Sequence, residues 1–419
     1  MRRLFPILCI LLCHCSLCLA QKQIYIPEDL RGMNLESDTS QWSFVRSVET
    51  RDLIFMWERG FGHDLQHPPL LEGKPMGVNL SVLTHRVQHF YTFFRDTLGF
   101  IRQEQAHPSK ADRYKMMVML SYSLDGTAYG GTYDDFIGAL WVAPNRIQDS
   151  TMNCMAHELG HSFQLQIPAD SVGEAWGGTG FFEMTSQWML WQVNPWWLRD
   201  ENYHFEAFKH LTHKAFLHPE NFYHSPYVIQ WWSDLRGRKS IAELYRQGRI
   251  GEDPAMTYMR LYGLSQETFC DEMFRGYQHL VNFDFQHARQ ETRPYACTFD
   301  SEVEKQGSWY SPKDVPEDYG FNAILLDNKV NLAARTFRLR LRGSDLRYGF
   351  VGITSEGESL YSPIGATTFT VPRGTTLSHL YLIVMGAPRQ HVRAAMSGDE
   401  ATGNDTSPRQ YPYQFKVTN

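Results

Sequence analysis

The sequence has few cysteines, and most of them lie at its start. Of the seven cysteines, four fall within the first 18 residues, which leaves Cys154, Cys270 and Cys297. Three thiols form at most one disulfide, with Cys270 and Cys297 as the natural pair, so a disulfide-stabilised scaffold is excluded. Stability must therefore come from burial, and 419 residues that are 42% hydrophobic and 14% aromatic can build two or three cores.

The sequence also lacks a strong charge imbalance and an internal apolar run of membrane length. Its formal net charge is -6 at pH 7, which gives no reason to expect a nucleic-acid partner. The one long apolar run, 4–19, follows Arg2 and Arg3 and precedes Ala20. A basic start, a short apolar core and a small residue are typical of a secretory signal peptide. We therefore expect cleavage near Ala20, a secreted or periplasmic protein, and no transmembrane segment.

No internal repeat or low-complexity tract is present, so the chain is divided by its residue patterns. After a lead-in at 21–43, the region 44–289 mixes strand and helix patterns. Beyond a linker at 290–318, the region 319–419 alternates short apolar runs with Gly, Pro and Asp turns. Such spacing is typical of an antiparallel β-sandwich.

Within 44–289, period-two and helical patterns predict individual elements. A strand or hairpin is predicted at 44–57, strands at 114–120 and 138–143, a flexible turn at Gly130-Gly131, and a helix at 78–100. The strand 138–143 is predicted to form the sheet edge, where an extended peptide could add as a further strand. An ordinary inner strand is the alternative. From 203 to about 284 the pattern is mostly helical.

Residues 157–161 have the form HExxH. On a helix, His157 and His161 project from one face about one turn apart, which is close enough to hold a single ion. Glu158 lies beside the pair, where its carboxylate can take a proton from water. Ser150 is predicted to cap this helix and Pro168 to end it. The alternative is a buried helix with two hydrogen-bonded histidines, which is disfavoured because an unpaired buried charge is costly.

Gly160, inside this pattern, has a structural meaning of its own. Glycine in a helix interior costs about 1 kcal/mol relative to alanine. Its presence at 160 therefore predicts that another backbone approaches the helix closely there.

Zinc is the metal that such a site favours, because two imidazoles and a carboxylate leave one coordination position to water. A HExxHxxGxxH site is excluded by Gln164 and Ile167. The remaining acids are Glu174, Glu183 and Asp170. We predict Glu183, because it lies in a predicted helix at 181–193 and helix placement fixes a carboxylate better than a loop.

Two residues near the site bear on whether the metal would be catalytic or structural. Gln187, one turn after Glu183, can hydrogen-bond a ligand histidine. Cys154 lies three residues before His157, and ligation by its thiolate would close the site and make it structural. We expect Cys154 to be simply buried.

These segments carry two resemblances. HExxH followed by the segment 183–187, EMTSQ, resembles the gluzincin zinc metallopeptidases, with Gln187 where that group usually has Asp. The segments 55–62, 157–164 and 183–191 resemble more closely DUF6055, a secreted bacterial family without a characterised function. That second likeness covers about 44–285, together with the tail at 412–417.

Together with the patterns above, which predict a helical subdomain and then an all-β sandwich, the resemblance implies an α+β fold with a zincin-like metallopeptidase domain. It also implies an oxyanion donor, His or Tyr, from the helical region after the glutamate, and His224 and Tyr227 are the candidates. The predicted metal ligands are His157, His161 and Glu183, with Zn²⁺ as the cofactor.

The predicted function is hydrolysis of a peptide bond in a protein, peptide or glycoprotein substrate by a zinc-activated water, with Glu158 as general base. Two alternatives remain. One is a zinc amidase acting on cell-wall or glycan-linked amides. The other is a binding module for carbohydrate or protein, in which zinc is only structural.

Overall fold

The protein has a mixed α and β architecture with three sheets, as seen in a computed structural model that describes residues 21–102, 107–178, 180–394 and 408–419. The predicted signal peptide at 1–20 lies outside the described residues, and secretion stays a prediction. No helix within the described ranges is long and apolar enough to cross a membrane.

The first sheet has five strands in the order β1-β2-β3-β5-β4. Its three inner strands run parallel, and β1 and β4 pair antiparallel at the two edges. Every residue of β2 and β3 is buried, as continuous apolar runs in central strands should be. The strands are β1 (Ser47–Glu49), β2 (Leu53–Trp57), β3 (Met116–Leu120), β4 (Ala128–Tyr133) and β5 (Ile137–Val142).

Two predictions about this sheet are wrong. Gly130-Gly131 is not a flexible turn but the middle of β4. The edge strand is β4, and the predicted edge strand at 138–143 is β5, which lies between β3 and β4. The turn was predicted because glycine is disfavoured in strands. Here β4 needs glycine because it lies very close to helix α3 (Asn153–Ala169).

The helices of the first half are α1 (Leu80–Thr92), which continues as a π-helix (Phe93–Thr97), α2 (Lys110–Arg113), α3 (Asn153–Ala169) and α4 (Gly180–Val193). Among them, α3 packs on β4 and β5, and α1 and α4 pack on α3. The predicted cap at Ser150 is wrong, because Asp149 accepts the Met152 N–H and α3 begins at Asn153. Pro168 falls in the last turn of α3, one residue before its end.

A helical region follows, as the sequence predicted for 203–284. It consists of α5 (Trp197–Asp200), α6 (Asn202–Leu211), α7 (Tyr227–Arg236), α8 (Ser240–Gln247), α9 (Pro254–Tyr262), α10 (Gln266–Leu280) and α11 (Arg289–Thr292). Aromatic side chains fill its interior, and Trp188 and Trp191 of α4 are fully buried among them.

The C-terminal part is a sandwich of two antiparallel sheets, ordered β11-β10-β13-β8 and β12-β9-β14-β7-β6. The strands β6 and β7 lie inside the predicted linker at 290–318, so that segment is part of the sandwich. The strands are β6 (Val303–Gln306), β7 (Trp309–Pro312), β8 (Phe321–Leu325), β9 (Thr336–Arg342), β10 (Leu346–Thr354), β11 (Ser359–Tyr361), β12 (Thr368–Thr370), β13 (Leu377–Gly386) and β14 (Gln414–Thr418).

Two buried clusters hold these parts together. The smaller one fills the sandwich between its sheets. The larger one runs from the first sheet through the helices and includes Phe321, Val351 and Tyr381 of the sandwich. Because the four-stranded sheet packs against α10 on its outer face, the sandwich is joined to the helical region by apolar burial. The division into domains at 44–289 and 319–419 stays a prediction.

The expected disulfide between Cys270 and Cys297 is not formed, and the three cysteines of the described residues, Cys154, Cys270 and Cys297, are free thiols. Cys270 is buried in α10, where its thiol lies 3.7 Å from the Pro388 carbonyl. Cys297 instead lies 3.5 Å from the Asn282 amide oxygen. Each thiol thus packs against its own polar neighbour.

Candidate metal centre

The crossing of α3 and α4 brings together the three predicted metal ligands. The Nε2 atoms of His157 and His161 lie 3.0 Å apart, and each lies 3.1 Å from Oε2 of Glu183. The crossing is close because Gly160 has no side chain, and a Cβ there would meet the Ser186 hydroxyl at 2.4 Å. The Ser186 Cα would lie 3.5 Å from the same Cβ, so the backbone of α4 approaches at Gly160, as the sequence predicted.

The triangle of donor atoms fits a small divalent cation. Zinc binds imidazole nitrogen and carboxylate oxygen at about 2.0–2.2 Å, which places the ligand atoms of a tetrahedral site about 3.3 Å apart. The observed separations of 3.0 and 3.1 Å are within a few tenths of an ångström of that spacing. Among the described residues, no other group of three or more His, Cys, Asp and Glu side chains converges in this way.

Two glutamines fix which nitrogen of each imidazole faces the centre. Nδ1 of His157 lies 3.1 Å from Oε1 of Gln187, and Nδ1 of His161 lies 2.8 Å from Oε1 of Gln164. The amide nitrogen of Gln164 donates to the Phe182 carbonyl at 2.9 Å, so its oxygen must face the imidazole. Both Nδ1 atoms therefore carry the proton, and both Nε2 lone pairs point at the centre.

The electrostatics of the triangle agree with a site built for positive charge. Although burial raises the pKa of the Glu183 carboxyl, the two imidazoles beside it lower it to about 2. For His157, burial lowers the pKa, but the neighbouring Glu183 and Glu158 carboxylates raise it above its ordinary value. The ligand side chains are only 12%, 6% and 18% exposed, which limits screening by solvent.

Glu158 is held between α3 and the edge strand β4. Its Oε2 accepts the Gly130 N–H at 2.7 Å. A Cβ at Gly130 would stand 1.8 Å from the Glu158 carbonyl oxygen, so only glycine permits β4 to lie this close to α3. The glycine pair that was predicted to be a turn therefore allows β4 to hold the Glu158 carboxylate.

Tyr223 is a site residue that sequence reasoning missed. Its ring centroid is 5.9 Å from that of His157, and its hydroxyl interacts electrostatically with the Glu183 carboxylate. Burial, together with the Glu183 carboxylate, raises the pKa of this tyrosine to about 12. The side chain is 45% exposed, so it faces both the triangle and solvent.

The two predicted oxyanion donors lie elsewhere. Tyr227 is 2% exposed and packs against Phe208 and Trp191 in the helical core, which makes its prediction wrong. His224 turns its Nδ1 toward Nδ1 of His204, at 2.8 Å, and not toward the triangle. The helical spacing of Tyr227 with Trp231 was the signal that it faces inward.

The other acids and the cysteine that were considered as ligands take part in local structure. Glu174 accepts the backbone N–H groups of the two residues that follow it. Asp170 accepts the Lys110 N–H, at the other end of α3. Cys154 is half-buried, and burial raises its thiol pKa to about 12, which disfavours the thiolate needed for ligation.

Comparison with known proteins gives one family. Residues 16–419 match the family described as "Family of unknown function (DUF6055)". The chain belongs to DUF6055. The match extends the resemblance seen in the sequence over nearly the whole chain.

Other comparisons add little to DUF6055 membership. None of the curated proteins matches. Among solved structures, the chain is similar to the ZmpB metallopeptidase from Clostridium perfringens, with 11% identity, 82% of this chain and 67% of that chain covered, and a TM-score of 0.32. So low a TM-score does not establish a shared fold, and the function of this DUF6055 protein has to be inferred from its own site.

Proposed function

We propose that this protein is a secreted zinc-dependent metallopeptidase of the gluzincin type. One observation carries the proposal: two imidazole Nε2 atoms and a carboxylate oxygen converge within 3.1 Å, and the hydrogen bonds at both Nδ1 atoms make Nε2 the metal-binding nitrogen of each neutral ring. Three acceptors at such a distance repel one another unless a cation lies among them.

The donor set favours zinc over harder cations. Magnesium and calcium take oxygen ligands, whereas two imidazoles with one carboxylate are the ligands of hydrolytic zinc sites. When bound, zinc supplies Lewis-acid polarisation of a carbonyl and makes water more acidic. His157, His161 and Glu183 would hold it.

Glu158 and Tyr223 carry the proton transfers and charge stabilisation in the proposed reaction. Glu158, held by the Gly130 N–H, accepts a proton from the attacking water and passes it to the leaving amine. Tyr223 donates its hydroxyl hydrogen to the oxygen of the tetrahedral intermediate. Because the pKa of Tyr223 is raised to about 12, this donor stays protonated throughout the neutral range.

The edge strand β4 gives the substrate a place to lie. It is the terminal strand of its sheet and contacts α3. An extended peptide can pair with an exposed strand edge through main-chain hydrogen bonds. We therefore propose that the peptide bond is presented to Glu158 from a segment lying along β4.

The test combines metal content with a catalytic variant. Purified protein should bind one zinc ion and cleave components of a mixed proteome and glycoprotein library, with cleavage abolished by a chelator. Glu158→Gln should keep the zinc and lose activity by about 10³-fold or more. Absence of bound zinc, or equal cleavage by Glu158→Gln, would show that the proposal is wrong.

A further inference from the structure

Gln187 makes two hydrogen bonds in addition to the one that orients the ligand His157. Its Oε1 faces His157, and its Nε2 lies 3.1 Å from the Tyr223 backbone carbonyl and 3.1 Å from Nε2 of His204. Beyond it, Nδ1 of His204 lies 2.8 Å from Nδ1 of His224. Gln187 is 3% and His204 8% exposed, so this chain of contacts is buried up to His224.

The Tyr223 carbonyl determines the direction of the hydrogen bonds that link His157, Gln187, His204 and His224. A carbonyl only accepts, so the Gln187 atom beside it is the amide nitrogen and the atom facing His157 is the oxygen. The second N–H of Gln187 must then donate to Nε2 of His204. His204 consequently carries its proton on Nδ1 and donates it to His224.

We propose that Gln187, His204 and His224 form a hydrogen-bonded relay whose function is to position both the His157 imidazole and the backbone of Tyr223. This inference rests on the proposed function, because it assigns positioning roles around the same centre. The three residues touch neither the metal position nor the substrate, and they act through His157 and Tyr223.

The relay explains why glutamine occupies position 187. An aspartate, which gluzincins usually have there, can accept from a ligand histidine but cannot donate to a carbonyl. Glutamine accepts on one side and donates twice on the other, and so ties the ligand His157 to the loop that presents Tyr223. Gln187 thereby positions both a metal ligand, His157, and the proton donor, Tyr223.

The histidines suit this role because they stay neutral. Burial, with smaller contributions from the charges of His224 and His157, lowers the pKa of His204 to about 4. Burial likewise lowers the pKa of His224. Near neutral pH each ring then has one donor and one acceptor nitrogen, as the relay requires.

The first experiment separates the two functions of Gln187. Gln187→Glu keeps an acceptor for His157 but loses both donated bonds. We expect zinc affinity, measured by chelator competition, to stay within about 3-fold of wild type, because the added negative charge beside His157 offsets the lost anchoring. We expect kcat to fall about 10- to 100-fold at unchanged KM. A wild-type kcat in this variant would overturn the proposal.

The second experiment tests the outer relay against a matched buried histidine. His287 is as buried as His204 and bonds the Trp191 carbonyl of α4, outside the relay. His204→Leu should weaken zinc binding about 10-fold and lower kcat, whereas His287→Leu should change neither. Equal zinc affinity and kcat in the two variants would make His204 merely structural and overturn the proposal.

Two further variants keep the test decisive if His204→Leu does not fold. At the half-buried position 224, Asn keeps an acceptor near Nδ1, and Leu removes it. His224→Leu should lower kcat about 3- to 10-fold, and His224→Asn should restore it. If wild-type protein hydrolyses nothing, the proposed function fails, and the zinc affinities of the His204 and His287 variants still decide the relay.

Discussion

At the scale of single residues, the proposed chemistry depends on which tyrosine faces the triangle. Tyr223 lies beside Glu183 and His157, and its pKa of about 12 keeps the hydroxyl a donor. Tyr223→Phe should therefore lower kcat about 10²- to 10³-fold with little change in KM or zinc content. Steady-state kinetics between pH 6 and 10 would test this, and wild-type kcat in the variant would exclude Tyr223 as the donor.

Tyr227 offers the matched control, since it lies four residues away in the same segment. Its hydroxyl is buried and has no hydrogen-bond partner among the residues that the structure describes. Removing an unsatisfied buried hydroxyl relieves a cost of about 1–3 kcal/mol, so Tyr227→Phe should keep full activity and unfold at equal or higher denaturant concentration. Lower activity in this variant would mean that the helical core positions the site through Tyr227.

At the scale of elements, the close approach of β4 to α3 decides where Glu158 lies. Gly130→Ala would place a Cβ 1.8 Å from the Glu158 carbonyl oxygen, so strand and helix must separate. We expect a loss of about 2–4 kcal/mol in unfolding free energy and a large loss of activity. Gly32→Ala is the control, because no neighbouring side chain or backbone lies within 4 Å of the added Cβ. It should change neither the unfolding free energy nor the activity when both are measured by the same urea titration and assay.

Most element types followed from local patterns, with β4 as an exception, whereas the pairing of the strands did not. The helix 181–193 was predicted and is α4 (Gly180–Val193), because a glycine-rich connection precedes this mostly apolar run and Pro195 follows it. The strand at 138–143 was predicted and is β5, but its place inside the sheet depends on pairing with β3 and β4. Strand order depends on long-range contacts, so a local pattern cannot specify it.

At the scale of the whole molecule, zinc should stabilise the fold through the crossing of α3 and α4. A ligand at 100 times its Kd adds about 2.7 kcal/mol to the unfolding free energy. Zinc should thus raise the Tm of wild type and of Glu174→Gln, whose carboxyl group only caps a loop. Glu183→Gln should lose most of the zinc-induced rise in Tm. An unchanged rise in this variant would show that Glu183 is not a metal ligand.

The pH dependence of global stability should carry the signature of His204. Burial lowers its folded-state pKa to about 4, below the unfolded value of about 6.5, so the unfolded chain binds more protons between these values. Stability should then fall as the pH drops through that window, with about 2 kcal/mol lost by pH 5. Urea titrations of the metal-free protein at pH 7.5 and 5 should show this loss in wild type and a smaller one in His204→Gln.

The sequence by itself determined the ligands' spacing and much of the α+β pattern. His157 and His161 four residues apart must share a helix face, and Gly160 between them marks a close crossing, because these are consequences of helix geometry. The tertiary structure alone decided that Tyr223 rather than Tyr227 faces the triangle. It also decided that Gln187 joins His157 to His204, since contacts between elements follow from packing and not from local spacing.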